Sequence, residues 1–148
     1  MLTDMDRIPD HHDAELILKL YDLRREPVMR ENRSRFLKEF WPRTAAEMVA
    51  VTKSDHPLNV SYRQVTTFWE MAYMLCRYDT LSVDMLLESS TEGLYAFARI
   101  EPYLAELRAA TNPRTLRNTE WIANHTELAR AIMETQRGRL KAMLAQRK

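Results

Sequence analysis

Four histidines, one cysteine and scattered carboxylates are the groups in this 148-residue sequence suited to moving protons, attacking carbon or holding metal. His125 is the most suggestive of them. At helical spacing it shares a stripe with Trp121 and Leu128, with Glu120 and Glu127 close by in sequence. An imidazole held against a carboxylate in an apolar cleft suits acid–base work or ligand binding. The simpler reading, preferred here, is a hydrogen-bonded, inert histidine at the core edge or in a subunit interface, because histidine is often partly buried with no further role. Trp69, Tyr73 and Trp121 are the aromatic residues placed to wall a pocket for a small apolar molecule.

Metal chemistry finds little support. The other histidines are His11, His12 and His56, and no pair has the i, i+4 spacing of a zinc-binding helix. Glu-x-x-His pairs, which two-metal carboxylate bundles require, do not occur. "DHHDAE", Asp10 to Glu15, gathers histidines and carboxylates, but adjacent side chains diverge on a helix, so a solvated helix start is the better reading. Cys76, the single cysteine, lies in "YMLCRY" on an apolar face, where burial suppresses its thiolate; a structural thiol in a reducing compartment is expected. With only Gly93 and Gly138, 45 residues apart, no phosphate loop, dinucleotide fingerprint or nucleophile elbow is available. The expectation is no catalytic residue, no metal site and no cofactor.

Charge argues against a polyanion partner. Lys and Arg number 22 against 21 Asp and Glu, a net charge of +1. The densest basic stretch, "LRREPVMRENRSRF" from Leu23 to Phe36, has Glu26 four residues before Arg30 and Glu31 four before Arg35. That order favours helical ion pairs and a solvated face over a nucleic-acid arm. Glu70 likewise reads as a surface ion-pairing residue on the side of Arg63 and Arg77, and Met71 and Met74 read as core filling.

These residues must be carried by helices. Glycine is scarce while Leu, Ala, Arg, Glu and Met abound, which favours an all-α class. Leu16, Leu20 and Leu23 mark a first helix capped by Asp10 or Asp13. Phe36, Leu37, Phe40 and Trp41 lie on a different face, so the chain must kink at Pro27 or restart at Glu26 or Pro27, with a kink preferred. A short helix over Ala45 to Val51 follows Pro42. Then comes a central core helix with Val65, Phe68, Trp69, Ala72, Leu75 and Cys76 on one face. Ser82 caps another short helix, and Phe97, Ile100, Leu104 and Leu107 stripe a longer one bent at Pro102. From Asn118 a final long helix is expected, with Trp121, His125, Leu128, Ile132, Gln136 and Met143 on a common face. The whole is an irregular bundle of five to seven helices with proline-kinked segments. It forms one domain, 1–148, whose residues 1–12 are flexible and whose basic end, 140–148, frays.

At "LILKLYDLRREPVMRENRSRFLKEF", "FWEMAYMLCRYDTLSVDMLLE" and "FARIEPYLAELRA" the chain resembles a family of small uncharacterised bacterial helical proteins, with a more distant likeness to a broader bacterial domain of unknown function. The likeness covers most of residues 16 to 128. It implies a helical fold and a bacterial, cytosolic setting, and implies no activity and no functional residues.

The acidic start lacks the apolar stretch of a secretory signal, and the longest apolar run, Met71 to Cys76, is far short of a membrane span, so a cytoplasmic protein with no membrane partner is expected. The function these features fit is a non-enzymatic interaction module that forms a homodimer or binds a protein partner through the final helix. A small apolar-ligand domain and an enzyme using His125 are the alternatives.

Overall fold

The computed structural model describes residues 7–147. Residues 1–6 of the start expected to be flexible, and residue 148 of the tail expected to fray, lie outside the described residues. Among the described residues every regular element is a helix: α1 His11–Arg24, α2 Pro27–Glu39, α3 Ala45–Ala50, α4 Asn59–Arg77, α5 Val83–Ser89, α6 Glu92–Ile100, a 3-10 turn Glu101–Tyr103, α7 Leu104–Ala110, α8 Arg117–His125 and α9 Glu127–Gln146. The all-α class is as expected, but the helices are more numerous than five to seven, because three expected long helices are broken.

Each break has a local cause. At Pro27 the chain restarts rather than kinks. Glu26, as the residue before a proline, adopts an extended ψ of 136°, and its own carboxylate accepts from the Val28 N–H at 3.1 Å and the Met29 N–H at 2.9 Å. At Pro102 the expected bend is replaced by the 3-10 turn, after which α7 begins. The final helix is cut at Thr126, whose extended backbone (φ −112°, ψ 162°) ends α8 and whose Oγ1 accepts from the Ala129 N–H at 3.1 Å to start α9.

The amphipathic pattern of α4 places it at the centre, between α2 and α8, while α9 closes over α6 and α8. Val65, Trp69, Ala72 and Cys76 face inward as their spacing requires, joined by Phe36, Phe40, Leu94, Phe97 and Met133. Burying side chains of this size stabilises by about 1.5–3 kcal/mol each. Gly93 lets α6 approach α4 closely: a Cβ there would lie 2.7 Å from Tyr73 Cζ and 2.8 Å from Trp69 Cδ2. Helix α1 packs against α2 and α5, with Arg24 over the Trp69 ring at 5.1 Å and Arg7, ahead of α1, reaching Asp79 at 3.5 Å.

Candidate functional site

The sequence-derived candidates fall in two separate places. Trp121 and His125, one turn apart on α8, stack with ring centroids 3.8 Å apart. Trp121 is half-buried against the core, whereas His125 is the exposed last residue of its helix. Open clefts flank the pair. One, of about 730 Å³, is lined by Arg7, Ser82, Val83, Leu128 and Arg130; the other, of about 490 Å³, by Arg77, Arg117 and Asn124. Glu120, one of the two carboxylates near His125 in sequence, meets Arg108 at 3.2 Å.

Trp69 and Tyr73 stack deep in the interior, 5.7 Å between centroids, and burial pushes the Tyr73 hydroxyl well above its ordinary range. The space beside Trp69, bounded by Gly93, Phe97 and Leu116, is about 10 Å³, room for no more than a water molecule. These two aromatics pack the core.

Of the polar groups that do converge, Glu92 and Arg99 were not singled out by sequence, while Glu70 was read as a surface residue and Asp13 as a local cap only. Glu92 at the start of α6 receives Arg33 Nε at 2.9 Å, Arg24 at 3.2 Å and Trp69 Nε1 at 3.3 Å, so one carboxylate ties α1, α2, α4 and α6. Glu70 is no surface ion pair. Its two oxygens accept from the Asn118 N–H at 2.7 Å, and from the Thr119 N–H at 2.9 Å and hydroxyl at 2.7 Å, capping α8 from another helix. That cap stands in for a local one, because the residue before α8, Leu116, is left-handed (φ 58°) and offers no side-chain hydrogen bond.

Asp13 is fully buried and accepts from Arg7, from the Asp10 N–H at 2.9 Å and from the Ser82 N–H at 2.7 Å, joining the starts of α1 and α5. Burial alone would raise its pKa; the Arg7 guanidinium and the two N–H donors outweigh that and hold it below the usual carboxylate range. Arg99, also buried, donates to the carbonyls of Leu37 at 3.2 Å and Phe40 at 2.8 Å at the end of α2 and lies over the Trp41 ring at 3.7 Å.

Chemically, these groups hold helix ends together. Asp10 and Asp13 of the "DHHDAE" stretch are spent on the capping box of α1, and among the described residues no group of three or more His, Cys, Asp or Glu is placed to hold a metal ion. The basic stretch also reads differently in three dimensions. Glu26 caps α2 rather than pairing with Arg30, Arg35 pairs with Glu39 at 2.8 Å, and Arg24 and Arg33 turn inward to Glu92. No helix of the described residues is long and apolar enough to cross a membrane.

No curated protein and no solved structure matches the chain. The family described as domain of unknown function (DUF4760) matches residues 9–126, about four fifths of the sequence and every helix from α1 to α8. The Trp121–His125 pair and the core residues carried by α1 to α8 fall within that match, and the chain belongs to this family.

Proposed function

We propose that this protein is a non-enzymatic helical interaction module that self-associates. One observation carries the reading: where its exposed large apolar side chains lie. Leu18, Tyr21 and Leu23 on α1, and Val60, Met71, Met74 and Tyr78 along α4 and its C-terminal cap, make up most of those among the described residues. Scattered apolar residues on a surface mean little, but a succession of them along one helix, as on α4, marks an interaction face. On the final helix Ala129, Met133, Gln136 and Leu140 turn inward, while Leu128 and Ile132 are half-buried and Met143 is exposed. Several of the buried ionisable groups, Asp13, Glu92 and Arg99 among them, are engaged in tying helix ends together. Sedimentation velocity over a dilution series from about 300 µM to about 1 µM, bracketing a micromolar dissociation constant, tests the proposal. A species of twice the chain mass that dissociates on dilution is expected; a single species of chain mass throughout contradicts it.

A further inference from the structure

The outward side of α4 carries Val60, Gln64, Thr67, Met71, Met74 and Tyr78, spaced four, three, four, three and four residues apart, and all six are exposed. Tyr78 is 77 % exposed, Met71 41 % and Met74 38 %. That alternation is the 3.5-residue seam by which one helix packs along another. The half-buried Phe68 and Leu75 border it on one side, and Arg63, Glu70 and Arg77 border it on the other. An uncharged seam along a 19-residue helix, about 28 Å long, is costly to leave in water and fits a second helix rather than a loop or a polyanion.

We propose that the occupant is α4 of a second copy of this chain, packed antiparallel about a two-fold axis near Trp69. The proposal rests on the self-association reading above. The seam is graded: Val60, Gln64 and Thr67 in its first half are smaller than or comparable to Met71, Met74 and Tyr78 in its second. Antiparallel pairing sets Val60 against Tyr78 of the second copy, Gln64 against its Met74 and Thr67 against its Met71. Each contact then joins a slimmer side chain to a larger or more flexible one, and the two-fold repeats the contact on the other side. Parallel pairing would stack tyrosine on tyrosine and threonine on threonine, leaving one end overfilled and the other slack. Methionine at the central positions suits such a seam, since its flexible thioether fills irregular gaps.

The antiparallel arrangement also brings Arg63 of one copy beside Arg77 of the other, a like-charge pair that salt screens. Association is therefore predicted to tighten, not weaken, between about 0.05 M and about 0.5 M salt. One helix pair gives an interface at the small end of the stable class, whose lower bound is roughly 1,200 Å² in total.

Cysteine cross-linking under mild oxidation, with sedimentation of Met71→Glu/Met74→Glu, tests the proposal on the full chain. Residues 64 and 74 are too far apart on one helix to bridge within a chain. The Gln64→Cys/Met74→Cys double variant is expected to form a covalent dimer and neither single variant to do so. Met71→Glu/Met74→Glu is expected to weaken association at least tenfold, with helix content unchanged by circular dichroism because both positions face solvent in the single chain. A cross-link by Gln64→Cys alone overturns the antiparallel seam. Association that survives both glutamates overturns the α4 surface while leaving the module reading intact, and a wild-type chain that stays monomeric overturns both.

Discussion

Gly93 and Gly138 are chemically identical and should respond in opposite ways to the same substitution. A methyl group at Gly93 would press on Tyr73 and Trp69, so Gly93→Ala is predicted to destabilise by about 1–3 kcal/mol, less whatever the better helix propensity returns. Gly138 sits within α9 with nothing within 4 Å of an added Cβ, so Gly138→Ala should stabilise by about 0.5–1 kcal/mol. Urea midpoints of the two variants check this pair. Asp13 supplies a pH signature. Because its carboxyl is held below the usual range in the fold, the unfolded chain binds the proton first on acidification. Its contribution is therefore complete above about pH 5 and is lost as pH falls through the ordinary carboxylate range toward the depressed native value. Asp13→Asn should cost about 3 kcal/mol at neutral pH, the range for breaking a buried pair, and flatten the acid limb of a stability-versus-pH curve. A limb of unchanged steepness would show that other carboxylates set it.

At the scale of elements, the structure departs from sequence reasoning wherever a bond spans a long stretch of chain. The periodic positions Leu20, Val65, Trp69, Phe97 and Leu107 were legible because burial follows the helical repeat. The caps at Asp10 and Ser82 were legible because their partners lie two or three residues away. Glu70 and Glu92 were not, since the groups they hold are 48 and 59 residues distant and no local pattern announces them. Met71 and Met74 were assigned to the core because composition, rather than their angle on the helix, weighed most. Their side opposes that of Ala72 and Cys76. Thr126 was missed because threonine is compatible with a helix interior as well as a cap. The two caps of this region make separable predictions. Thr126→Ala should destabilise by about 1 kcal/mol through the start of α9. Glu70→Ala should cost about 1–2 kcal/mol and hasten amide exchange over the first turn of α8. Exchange there that matches wild type would mean α8 begins without help from α4.

Taken whole, the molecule is a set of short helices whose ends are fixed by buried charge. Glu92 joins four of them, Asp13 joins the starts of α1 and α5, and Arg99 reaches from α6 to the end of α2. Such polar ties favour one arrangement over many, and they leave α4 presenting one face to the core and the other to water. The fold class could be read from sequence because the helical rhythm and the lack of glycine pervade the chain. The interaction surface could not, because an exposed apolar seam and a buried one look alike until the neighbouring helices are placed. Peroxide oxidation of the methionines, followed by mass spectrometry, tests the central claim most directly. Met71 and Met74 are open in the single chain, while Met48 and Met133 are fully buried. Met71 and Met74 are predicted to oxidise quickly in dilute protein and to become several-fold slower as concentration rises, with Met48 and Met133 slow throughout. Oxidation of Met71 and Met74 at one rate across all concentrations would contradict the account.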